Sequence, residues 1–202
     1  MFMSSSRVVL GVMVLAACSV GSELNAPIIA TSAAVNEGVG VVVQVMGAGV
    51  VDFDAAGDFG DGKFQFVAIR RDDGSVTGHF SQSRMRATGL VDFEGIVTCV
   101  TINPTFPGRA RIAGIVTVNN STDPAFLTTN HEVGDDVWFR VEDNGNGADA
   151  NDKSTTYGFK PTLVNTSAEY CALPFDGLFN GQLVWNPASI LPLAQGTIGV
   201  NP

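Results

Sequence analysis

Histidine, tyrosine and tryptophan occur twice each in this 202-residue chain, and cysteine three times. His79 and His131 have no Cys/His cluster beside them. Sulfur-and-imidazole zinc sets therefore have no basis, and the two read as single exposed or hydrogen-bonded residues. Basic residues are few: 11 Lys and Arg against 20 Asp and Glu give a net charge of −9. Arg70-Arg71 and Arg84/Arg86 stand close together, but the rest are scattered in no larger cluster. Nucleic-acid binding needs a basic footprint and a polybasic membrane patch needs a cluster, so both are excluded. There is no Gly-x-Ser-x-Gly elbow, no residue order pairing a nucleophile with either histidine, and no glycine-rich phosphate loop between a strand and a helix. Asp92 and Glu94 share a strand face, as a glycosidase pair could. A half-exposed strand places a polar residue at every second position anyway, so the chain reads as non-enzymatic.

Long apolar runs are absent too. Val8 to Ala17, about ten residues, follows a short polar start with a single positive charge at Arg7. A bilayer-spanning helix needs ~20 residues. This pattern is that of a secretory signal over 1–17. Leu15-Ala16-Ala17-Cys18 resembles the lipobox of bacterial lipoproteins. The resemblance implies cleavage before Cys18, acylation of that cysteine, and partnership with a membrane through the lipid. Several acyl chains give stable anchoring, at ~0.8 kcal/mol per buried methylene. Ser19 rather than Asp follows, which by the same resemblance favours an outer membrane where one exists. Residues 18–37 are small, polar and Pro-containing, the composition of a flexible tether.

What is abundant is glycine, at 23 residues, with frequent valine and no long stretch of helix formers. That composition predicts short strands and many turns. Lys63 to Arg71 alternates, with Phe64, Phe66, Ala68 and Arg70 on one face. Asp72-Asp73-Gly74-Ser75 is turn chemistry, and Val76 to Gln82 returns as the second arm of a hairpin. Leu90 to Ile102 places Val91, Phe93, Val97 and Cys99 on one face, and Arg109 to Val118 runs back. Asp136 to Glu142 sets Val137, Phe139 and Val141 opposite Trp138 and Arg140. Thr155 to Phe159 and Gly181 to Trp185 complete the set, while residues 187–202, with three prolines and little pattern, read as a loosely packed tail. The expected fold is a single all-β antiparallel meander over 38–186, closing as a small barrel, with a Greek-key sandwich as the alternative.

The segments Arg71-Asp72-Asp73-Gly74-Ser75-Val76-Thr77-Gly78, Val97-Thr98-Cys99 and Phe139-Arg140-Val141-Glu142-Asp143-Asn144-Gly145 stand in this order. They resemble a group of exported bacterial β-proteins with a DGSV-x-G hairpin, a V-x-C strand and an FRV-x-DNG turn. The resemblance runs from Phe64 to Phe159 and implies a fold but no reaction. Glu142 departs from it, standing where an apolar residue is expected.

With Cys18 assigned to lipid, Cys99 and Cys171 remain, and in an exported chain a disulfide is their simplest state; two separate buried thiols are the alternative. Two acidic, Gly-rich loops are candidate calcium sites: Asp52, Asp54 and Asp58 in one, Asp143, Asn144, Asn146 and Asp149 in the other. Calcium takes six to eight oxygens, and such loops can supply them. Lys153 stands where an EF-hand needs a bidentate acid, and Asp, Asn and Gly are also what β-turns use. Trp138 and Trp185 serve either as core or as a sugar-stacking platform. The function the sequence favours is that of a non-enzymatic cell-envelope lipoprotein acting in structure or protein contact. The alternative is a module binding a small apolar molecule or carbohydrate, with calcium as a stabiliser.

Overall fold

Alternation along the chain dictates the strands, because successive side chains of extended backbone point to opposite faces. The computed structural model describes residues 40–52, 60–127, 131–145, 151–155, 158–159, 164–179 and 181–202. Its strands are β1 (Val41–Asp52), β2 (Asp61–Arg71), β3 (Val76–Arg86), β4 (Gly89–Ile102), β5 (Arg109–Asn119), β6 (Asp136–Glu142), β7 (Lys153–Ser154), β8 (Gly158–Phe159), β9 (Leu178–Phe179), β10 (Gln182–Leu183) and β11 (Leu191–Asn201). Two short helices join them, α1 (Pro124–Leu127) and α2 (Ser167–Ala172). The fold is all-β. In the main sheet the strand order is β5-β4-β3-β2-β1-β11-β7-β6, and β6 pairs back onto β5, so eight antiparallel strands close a ring. β8 adds to β6, and β9–β10 form a separate hairpin.

The first five strands are a meander with well-matched turns. Between β2 and β3, Asp73 accepts the Ser75 backbone N–H at 2.8 Å, and Gly74 takes φ +81°, a conformation other residues adopt only with strain. The ring interior is filled by Val45, Val51, Phe66, Ala68, Phe80, Val91, Phe93, Ile112, Val137, Phe139 and Val141, all buried. The Phe66 and Phe139 rings meet edge to face at 5.1 Å, spanning the interior from β2 to β6. Each such side chain contributes on the order of 1.5–3 kcal/mol through removal from water. Phe80 finds its space because Gly95 and Gly114, on β4 and β5, have no Cβ to collide with its ring.

One end of the ring is covered by the segment that carries α1. Phe126 lies in the interior cluster. His131, completely buried, packs between Phe93 at 4.4 Å and Phe126 at 4.7 Å. Asn119 fastens the segment, donating from Nδ2 to Phe126 O and His131 O, both at 2.7 Å. Asp123 accepts from Arg86, Thr88 and the Ala125 backbone N–H. His131 is thus an interior residue packed between tilted rings, while His79 is exposed on β3.

Three sequence expectations need correction. Cys99 does not share the inward face of Val91, Phe93 and Val97: a bulge between Val97 and Cys99 shifts the phase, so Val100 points in and Cys99 out. A bulge adds one residue on one strand, which flips every side chain after it. Of the strand expected over Thr155 to Phe159, only Gly158–Phe159 (β8) is strand among the described residues, and a separate short strand, β7, precedes it at Lys153–Ser154. The third is the expected loose tail over 187–202. Its residues 191–201 are β11, paired with β1 from Gln44–Asn201 to Val51–Leu193. Leu191, Leu193, Ile198 and Val200 pack on the core. A register shift opposite Val50/Val51 puts Leu191 and Leu193 out of phase with Ile198 and Val200, which hides the alternation.

Candidate functional site

The outer face of β5 and β6 is not open to water. Residues 164–179 and 181–190 lie across it, and Ala113, Trp138, Val164, Tyr170, Leu173 and Val184 form a second hydrophobic cluster there, with Cys99 and Cys171 packed against it. α2 starts at Thr166, whose side chain accepts the Glu169 N–H. Its first turn is fastened to the sheet by Ser167, which donates from Oγ to Gly114 O at 3.0 Å and from its backbone N–H to Asp136 at 2.7 Å. Cys99 of β4 and Cys171 of α2 stand at disulfide-bonding distance, Cα–Cα 6.4 Å, clasping the layer to the ring. Because Cys99 points outward, it can reach a residue that lies outside the ring.

Inside this layer sits a group of arginines among aromatic rings. Arg111 of β5 and Arg140 of β6 are directly opposite each other in register. Arg111 donates to Leu173 O at 2.5 Å and Pro174 O at 2.7 Å, two carbonyls that α2 leaves at its C-terminal end. Its guanidinium lies 4.5 Å from the Phe175 ring centre. Arg140 donates to Val184 O at 3.0 Å and to the Ser189 hydroxyl, and lies 5.5 Å from the Trp185 ring. Arg109 stands at the rim between Phe106 at 4.7 Å and Trp185 at 5.1 Å, paired with Glu142 at 2.9 Å. Glu142 also faces Lys153 at 3.6 Å, which explains a carboxylate at this strand end.

Burial sets the electrostatics. Desolvation lowers the pKa of Arg111, with Tyr170 and Asp176 pulling the other way and Arg140 adding to the fall. Desolvation likewise lowers that of Arg140. Burial pushes the Tyr170 phenol up to about 12, against the pull of both guanidiniums. Arrangements of this kind hold positive charge in an apolar setting, where it acts on nearby lone pairs far more strongly than in water. Trp138 stacks on Tyr170 at 5.5 Å and Trp185 lies near Phe175 at 6.1 Å, so both tryptophans are packed within the layer.

The acidic loop between β6 and β7 is tied to β11 through its described residues. Asp143 accepts the N–H groups of Gly145 at 2.8 Å and Val200 at 2.9 Å. Asp152 accepts those of Asn144 at 2.9 Å and Ile198 at 2.8 Å. Asn144 donates to Asn151 O at 2.6 Å. At its two described ends, Asp143 and Asp152, the loop is fastened to the edge of β11. Among the described residues no group of three His, Cys, Asp or Glu is placed to hold a metal. Asn146 and Asp149, with Asp54 and Asp58 of the other acidic loop, lie outside the described residues, as does Cys18. Asp52 ends β1 opposite Asp61. Asp92 and Glu94 sit on β4 across from Ser83 and Ser81.

Sequence reading missed the arginine group. The available signal was Trp138-x-Arg140 on one strand and Arg109-x-Arg111 on the next, each on the face opposite the ring interior. Large aromatic and arginine side chains there, instead of Ser, Thr or Lys, mark a face that something covers. Compared with protein-family models, curated protein sequences and solved structures, the chain finds no match.

Proposed function

We propose that this is an exported, non-enzymatic cell-envelope lipoprotein, held to the membrane by Cys18 and acting through its β domain in structure or protein contact. The observation that carries the reading is the Cys99–Cys171 pair at bonding distance. Structural disulfides persist in oxidising compartments outside the cytoplasm, which is where a signal over 1–17 and a lipobox at Leu15–Cys18 would send the chain. The outer membrane is the favoured site where there is one. A chain with few basic residues suits contact with protein rather than nucleic acid. The β9–β10 hairpin adds an exposed cross-strand pair, Leu178 and Leu183, the kind of apolar surface that protein contacts use.

The test is the intact mass of the protein purified from the envelope fraction, before and after reduction and alkylation. The expected result is a chain starting at an acylated Cys18, with two alkylatable thiols appearing only on reduction. An unacylated, soluble product in the medium overturns the anchored reading.

A further inference from the structure

Buried charge in proteins is ordinarily paired, and buried donors ordinarily find acceptors. The layer over β5 and β6 departs from both rules at one place. Arg111 is completely buried and opposes Arg140 across the strand pair, and like charges in that relation repel. Neither has a carboxylate within ion-pair distance among the described residues; Asp176 alone adds carboxylate charge near Arg111, and it is exposed. Arg111 Nε and Trp185 Nε1 are buried with no acceptor among the described residues. Trp185 is only 8% exposed. Phe175 lies against both, 4.5 Å from the Arg111 guanidinium and 6.1 Å from the Trp185 ring. Every unmet group here is a donor, and the unbalanced charge is positive.

We propose that the layer holds a small oxyanion of the phosphate or carboxylate class, bound by Arg111, Arg140 and the Trp185 N–H. Such an ion supplies lone pairs and negative charge together, whereas a water supplies only lone pairs. Guanidinium groups suit it because their planar N–H pairs match the oxygens of phosphate and carboxylate. The flanking carbonyls of Leu173, Pro174 and Val184 fix both guanidiniums before binding, so little side-chain freedom is lost on occupancy.

The experiment titrates the full chain with inorganic phosphate, with acetate and with glycerol 3-phosphate, at ionic strength matched with sodium chloride. Binding is read by isothermal calorimetry and by tryptophan fluorescence. Saturable binding of phosphate or acetate is expected. Phosphate without glycerol 3-phosphate identifies the free ion as the ligand; binding of both identifies a phosphate group on a larger molecule. Trp185→Phe keeps the ring and removes the donor, and Arg140→Gln keeps hydrogen bonding and removes the charge. Each is expected to weaken binding about tenfold or more, with near-ultraviolet circular dichroism showing a folded layer. No saturable binding of any of the three ions to the wild-type chain overturns the proposal. So does unchanged affinity in both folded variants.

Discussion

Asp152 Oδ2 accepts the backbone N–H of Ile198 at 2.8 Å, joining residues 46 apart in sequence. With Asp143 on Val200 and the Asp152 carbonyl on the N–H of Leu193 at 2.8 Å, it closes the ring where strand pairing is thinnest. β7 contributes only two residue pairs to β11 and two to β6. Carboxylates stand in there for a missing run of strand.

Replacing Asp152 with Asn removes one of its two acceptor oxygens and sets an NH2 group against a backbone N–H. We expect a loss of roughly 1–3 kcal/mol in stability, the cost of a buried donor left unmet, measured by urea unfolding. Hydrogen exchange is expected to speed up at Ile198 or Asn144 while β2 and β3 stay protected. Unchanged exchange at both amides would show that the seam is held elsewhere.

The Cys99–Cys171 clasp spans 72 residues of sequence. On the chain-entropy picture it stabilises by ~4 kcal/mol. The Cys99→Ala/Cys171→Ala double variant is expected to lose about that much in denaturant melts, with faster exchange in residues 164–185 ahead of the ring strands. A variant as stable as the parent would contradict this.

Asp123 is buried, which works against its ionisation, but hydrogen bonds from Thr88, Ala125 and Arg86 outweigh that and hold its pKa below the ordinary carboxylate value. A lowered folded pKa means stability fully present above the unfolded value, about 3.9, and lost as pH falls through the folded one. Opening of the α1 cover is therefore expected in acid, read as loss of protection at Ala125 to Leu127. In Asp123→Asn this acid step should vanish and the cover be loose already at pH 7.

Tyr170 titrates at about 12 because burial disfavours the phenolate. The unfolded phenol has a pKa of about 10. The neutral form's contribution is complete below that pH and is lost as pH rises through about 12. Absorbance at 295 nm should show Tyr170 ionising in this upper range, and Tyr170→Phe should remove that step. A Tyr170 step near pH 10 in the folded chain would mean that the layer is open to solvent.

Much of the ring was legible in the chain. Phe64, Phe66 and Ala68 on β2, and Val137, Phe139 and Val141 on β6, alternate strictly, and Asp72 to Ser75 spells a turn, so face and connection follow from local chemistry. The proximity of Cys99 and Cys171 was expected from their number, once the chain was read as exported and Cys18 was set aside. Local pattern could not supply what depends on distant partners. β11 is a strand because β1 offers it an edge, although a bulge scrambles its period. Cys99 faces outward because one extra residue in β4 reverses its side. Asp143 and Asp152 accept the N–H groups of Val200 and Ile198 only because β11 lies beside them. Arg111 and Arg140 lie on the face opposite the ring interior, and only the layer formed by residues 164–179 and 181–190 covers them. Period and turn residues act over a few positions, so sequence determines them. Closure, phase after a bulge and the covering of an outer face are set by which distant surfaces meet, and the tertiary structure alone decides those.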